Sequence, residues 1–160
     1  MNALDFLEAS ERTAKTDEEI ERLSSIGLNP TEIDLRQYFG RSDELRTLLV
    51  SFDLVWVCGG NCFVLRRAFR QSGMDEVINN VLANDAIVYG GYSAGIDMLT
   101  PSLHGAELVD DPNNVPEGYE AMIVWDCLGL VPYAIAPHYK SDHPESAAID
   151  KSVEYFIDNH

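Results

Sequence analysis

A chain of 160 residues, 46% of them apolar, can bury one compact core but not two ordinary domains, so a single domain over 1–160 is expected. Its 27 acidic against 11 basic side chains give a formal net charge of −16, which opposes phosphate backbones and anionic lipid and excludes nucleic acid as an expected partner. No stretch nears the roughly 18 apolar residues of a membrane span. The N-terminus lacks a basic segment followed by an apolar run, and three cysteines, an odd number, form no disulfide framework, so the expected compartment is the cytosol.

In chain order, Thr16 and Glu19 read as a capping box opening a helix over about 17–26, with Ile20, Leu23 and Ile26 at helical spacing and Gly27 as its stop. Thr31 to Leu35 alternates polar and apolar like a strand with one wet face, and Ser42 opens a helix ending near Ser51. Asp53 to Val57 reads as a buried strand that runs through Cys58-Gly59-Gly60-Asn61 into a helix over 63–71. Met74 to Leu82 is the next helix, and Ala86 to Tyr89 a second buried strand entering Gly90-Gly91-Tyr92-Ser93-Ala94-Gly95. Residues 110–118 form a loop, 121–125 and 133–136 are possible strands, and 145–158 form an amphipathic helix with Ala148, Ile149, Val153, Phe156 and Ile157 inward. Strands alternating with helices imply an α/β fold, a doubly wound, mostly parallel sheet with helices on both faces.

Ligands of such sheets collect at the carboxyl ends of the strands, where both glycine turns lie. Gly91-Tyr92-Ser93-Ala94-Gly95 fits the nucleophile-elbow pattern, in which small neighbours allow a strained turn that lifts the serine clear of the sheet; the same pattern also fits a phosphate cradle or a packing turn. The amide of Ala94 would face the oxyanion, and the Gly59-Gly60 turn could offer a second donor. Of the four histidines, His138 is best placed as a base, just past a possible strand end, while His143 and His160 read as solvent-facing. Cys58 and Cys62, without a neighbouring histidine or further cysteine, are a weak metal signal, and neither metal nor cofactor is expected.

Three segments in order, Cys58-Gly59-Gly60-Asn61-Cys62-Phe63, Gly91-Tyr92-Ser93-Ala94-Gly95 and Ala136-Pro137-His138-Tyr139, resemble the dipeptidase E and cyanophycinase family of serine peptidases. The resemblance extends to Asp126 through Pro132 and to His143-Pro144-Glu145. It implies a fold like that of class I glutamine amidotransferases, with Ser93 as nucleophile, His138 as base, the Gly60 and Ala94 amides as oxyanion donors, and Gly59, Asn61 and Asp126 as possible supports. The implied substrate is a short, N-terminally aspartyl peptide. Family members also carry a buried strand before the segment matching Asn2 to Asp5 and strands beyond 160, one bearing the acid of the triad; on that comparison the chain is expected to be cut short at both ends. A binding module on the same turns is the alternative, and an esterase using Ser93, Asp126 and His138 a third reading. Arg66, Arg67 and Lys140 are available to read an aspartyl side chain, and an unpaired sheet edge makes homo-oligomers plausible.

Overall fold

The computed structural model describes residues 1–159; His160, expected as a solvent-facing tail residue, lies outside them. Helix α1 (Ala9–Ser25) starts eight residues before the expected Asp17. Its first half is polar and shows no apolar period, but Ala, Glu, Arg and Lys are intrinsic helix formers. Arg12, buried on that half, is held by ion pairs to Asp5 and, at 2.7 Å, to Glu32. Thr16 is therefore no cap: it sits mid-helix and donates to the Arg12 carbonyl at 2.9 Å.

The expected strand over 31–35 is absent. Asn2 Oδ1 accepts from the Leu35 amide at 3.1 Å, and Asp34 accepts from the Arg36 amide, bending the chain into a 3-10 turn, Leu35–Tyr38. Helices α2 (Ser42–Leu49), α3 (Cys62–Ser72) and α4 (Met74–Ala83) follow as read from the sequence. The core is built around α3, where Phe63, Val64, Leu65, Ala68 and Phe69 are all at most 3% exposed. Asn61 caps α3, accepting from the amides of Phe63 and Val64 at 2.9 and 3.0 Å.

Strands β1 (Leu54–Val57) and β2 (Val88–Gly91) pair in parallel, Leu54 beside Val88 and Val57 beside Gly91. Equal register brings both carboxyl ends, and both glycine turns, to one rim. Among the described residues the sheet has only these two strands, narrower than the doubly wound sheet expected. Segments 121–125 and 133–136 do not join it: the carbonyls of Met98, Leu99, Thr100 and Pro101 take the amides of Leu128, Val131, Gly129 and Cys127, leaving one isolated bridge between Ser102 and Asp126. The Asp53 and Val57 carbonyls accept from β2-side amides, so by strand alternation the N–H and C=O of Leu54 and Trp56 point away from β2. They face a cavity of about 460 Å³ lined also by Leu28, Ile33 and Met1.

Helix α6 (Ser146–Asn159) closes the chain. Ile149 and Ser152 are its buried residues, Ser152 Oγ donating to the Gly105 carbonyl at 2.7 Å, whereas Ile157, expected inward, is 74% exposed. No helix among the described residues is long and apolar enough to cross a membrane.

Arg67, fully buried on α3, anchors the coil over 110–121 by donating to the carbonyls of Pro112 (2.8 Å) and Ala121 (3.2 Å). Arg67→Met keeps the apolar stem and strands those carbonyls, so unfolding free energy in urea is expected to fall by about 2 kcal/mol.

Candidate active site

Ser93, the first residue after the Gly90-Gly91-Tyr92 turn, has φ +50° and ψ −128°. A non-glycine residue holds such angles at a cost of about 1–3 kcal/mol, offset by its surroundings. The glycines on either side show what offsets it. A Cβ on Gly91 would stand 2.4 Å from the Val57 carbonyl oxygen and one on Gly95 only 2.0 Å, so both run flush against the end of β1. Tyr89 Oη ties the turn down from below, donating to the Gly95 carbonyl at 2.6 Å. A Cβ on Gly59 would lie 2.8 Å from Ser93 Cβ, so the two glycine turns touch. Among the described residues, neither the Ala94 nor the Gly60 N–H has a hydrogen-bond acceptor, although Ala94 is 1% exposed. Buried amides without partners are uncommon and mark places where another acceptor can bind.

Ser93 and His138 line one small pocket of about 40 Å³, with Asp97 and Glu145 beside them and Ile135 and Ile149 among its apolar walls. His138 reaches it from a coil, not a strand end, through a backbone φ of +65°. Burial, and then the neighbouring His143, push its pKa below the usual imidazole value. The two imidazoles stack with centroids 3.8 Å apart. No hydrogen bond joins Ser93 to His138. Asp126 does not line the pocket; its carbonyl accepts from Arg66 and it bridges Ser102, so the order Ser93, Asp126, His138 of the esterase reading does not converge.

Asp97, not Asp126, is the acid beside the serine: it lies one helical turn after Ser93 in the short helix α5 (Ala94–Asp97), where i,i+4 spacing puts both on one side and in one pocket. Burial first, then Asp110 and Glu145, raise its carboxyl to about 8, so it is largely protonated at neutral pH. The unfolded group titrates near 3.8. The folded state therefore holds the proton more tightly, and stability is full below about pH 4 and declines as pH rises toward 8. Asp97→Asn is expected to remove that decline. Because Asp97 keeps some contact with solvent, the gain in urea-unfolding free energy at about pH 8 is expected to be about 2 kcal/mol, well below the full conversion of the shift, with little change at about pH 4.

The remaining polar groups are committed to structure. Burial raises the Cys58 thiol to about 11 and the Cys127 thiol to about 12, and lifts Cys62 well above its usual value, so none is a thiolate nucleophile near neutrality. Arg66 is a bidentate partner of Asp75 at 2.7 and 2.8 Å, and Arg67 serves backbone carbonyls, leaving only Lys140 of the three cations free at the surface. His104 stacks on Trp125.

An α/β layer whose two glycine turns meet at the carboxyl ends of parallel strands defines an enzyme-like α/β protein with its ligand crevice at that rim. Within that class the chain belongs to peptidase family S51, whose model matches residues 8–160. It is 36% identical over 114 residues to Peptidase E of Streptomyces coelicolor, covering 71% of this chain and 43% of that protein. A Drosophila melanogaster protein, whose name suggests an alpha-aspartyl dipeptidase, is 32% identical over 112 residues, 66% of this chain and 42% of its own length. The crystal structure of a candidate Peptidase E from Listeria monocytogenes superposes with a TM-score of 0.73 at 27% identity, over 84% of this chain and 63% of that one. The chain thus spans between about two fifths and two thirds of the relatives it matches.

Proposed function

We propose that this chain carries the serine, the histidine and the oxyanion donors of a serine-type peptidase that hydrolyses short peptides beginning with aspartate, on a three-layer sheet like that of class I glutamine amidotransferases. Ser93 Oγ attacks the scissile carbonyl, His138 takes its proton and returns it to the leaving amine, and the Gly60 and Ala94 amides hold the oxyanion. The observation that carries this reading is the strained backbone of Ser93, held between Gly91 and Gly95, where any Cβ would collide with the Val57 carbonyl. The name of the Drosophila relative supports the aspartyl preference.

The pocket has room for about one water molecule, so a dipeptide enters only if the coil carrying His138 shifts outward. A fluorophosphonate probe tests the site: stoichiometric labelling of folded protein, abolished in Ser93→Ala and weakened in His138→Ala, is the expected result, and a folded sample that takes no label rejects it. The binding-module reading draws on one observation, the missing hydrogen bond between Ser93 and His138. It predicts peptide binding by calorimetry that is the same in Ser93→Ala as in the unchanged protein, with no labelling of either.

A further inference from the structure

We propose that His138, His143 and Glu145 form a site for a divalent cation of the zinc class, which removes the imidazole of His138 from service while it is bound. One ligand atom from each of the three residues lies within 4.8 Å of the others. His143 Nδ1 lies 3.6 Å from Glu145 Oε2, near the roughly 3.4 Å edge of a tetrahedron with zinc bonds of about 2.0–2.1 Å, and accepts from the Glu145 amide at 3.3 Å, a bond the ion would displace. The imidazoles stack nearly parallel with centroids 3.8 Å apart, so binding requires the exposed His143 ring to rotate out of the stack before both in-plane lone pairs meet at one ion. Two imidazoles and a carboxylate are the donor set that suits zinc among the common divalent ions, whereas magnesium and calcium prefer oxygen throughout.

The loop that presents these groups is held in shape. Ser141 Oγ donates to the His138 carbonyl at 2.8 Å, the Ser146 amide donates to the His143 carbonyl at 3.0 Å, and the Ser141 amide donates to Ser146 Oγ at 3.2 Å. These contacts fix the backbone from which the two imidazoles project. The side chains of His143 and Glu145 are 41% and 45% exposed, so a hydrated ion reaches them directly, and a net charge of −16 favours its approach. The protonated cysteines, Cys58 and Cys62 buried and Cys127 half-buried, do not compete.

His138 and Glu145 also line the pocket that holds Ser93. A cation bound through His138 occupies the lone pair that would accept the serine proton, so metal binding and hydrolysis exclude each other. This consequence rests on the peptidase reading; the cation site does not.

The test is calorimetric titration of the full metal-free chain with zinc chloride, alongside cobalt(II) titration followed by visible absorption. One saturable zinc per chain is expected, with the intense cobalt bands of a tetrahedral site, and with affinity falling at least about tenfold in His143→Ala and in Glu145→Gln. Ser93→Ala should bind zinc as the unchanged chain does. Absence of saturable binding, or binding unaltered in both ligand variants while circular dichroism shows them folded, overturns the site. In the second arm, zinc should suppress fluorophosphonate labelling, a chelator should restore it, and labelling of His143→Ala should be insensitive to zinc. Labelling that zinc leaves unchanged at saturation overturns the proposed exclusion, whereas no labelling without zinc counts against the peptidase reading, and the calorimetry still decides the site.

Discussion

Gly95→Ala is expected to destabilise the fold by about 4 kcal/mol and to abolish labelling of Ser93 with it. The added carbon would stand 2.0 Å from the Val57 carbonyl oxygen and 2.7 Å from its carbon. Neither atom can yield, because Val57 ends the only paired edge of β1 and its oxygen accepts from the Tyr92 amide at 3.2 Å. Relief has to come from α5 lifting off the strand, which would also lose the 2.6 Å bond from Tyr89 Oη to the Gly95 carbonyl. Since the same contact forces Ser93 into its strained angles, the turn relaxes as the contact opens. Gly27→Ala is the control: that glycine has φ +90° with nothing within 4 Å, so only the backbone penalty of about 1 kcal/mol is expected. Urea midpoints for the two variants decide the matter, and a Gly95→Ala midpoint no lower than that of Gly27→Ala defeats the argument.

The elbow was legible because its causes are local. Glycines at 91 and 95 around a serine, after a run of β-formers, require nothing from distant sequence, and the same holds for β1, α3, α4 and α6 with their continuous or periodic apolar positions. What failed were inferences needing a partner out of sight. Thr31 to Leu35 has a strand's alternation, but alternation makes a strand only where a neighbour offers hydrogen bonds; here Asn2 and Asp34 take that backbone instead. The first half of α1 was invisible because Arg12, which pins it, is held by Asp5 and Glu32 from elsewhere in the chain. Asp97 could have been found from the i,i+4 rule applied to Ser93. The meeting of His138, His143 and Glu145 could not, since it depends on a loop with left-handed residues at His138 and Lys140.

The second large effect concerns the bare side of β1. Joining an extended apolar segment of about five residues directly ahead of Met1 is expected to raise stability by about 3 kcal/mol. Met1 lines the cavity of about 460 Å³, and Ala3 is fixed at the carboxyl end of β1, where its carbonyl accepts from the Asn61 amide at 2.9 Å. A segment leading into Met1 would therefore lie parallel to β1, opposite the outward N–H and C=O groups of Leu54 and Trp56. About three inward side chains at roughly 1.5–3 kcal/mol each, with several new backbone bonds at about 1 kcal/mol, exceed the roughly 1.5 kcal/mol per residue needed to order the segment by about that margin. The cost at the join is small: the buried N-terminal amine gives up its 3.5 Å contact with Glu32, which keeps Arg12 as a partner. Burial of new surface must also steepen the dependence of unfolding free energy on urea, because that slope scales with the area exposed. A higher midpoint with an unchanged slope would place the segment outside the cavity, and an added segment that remains open to protease with no change in midpoint would show that the edge of β1 does not accept a strand.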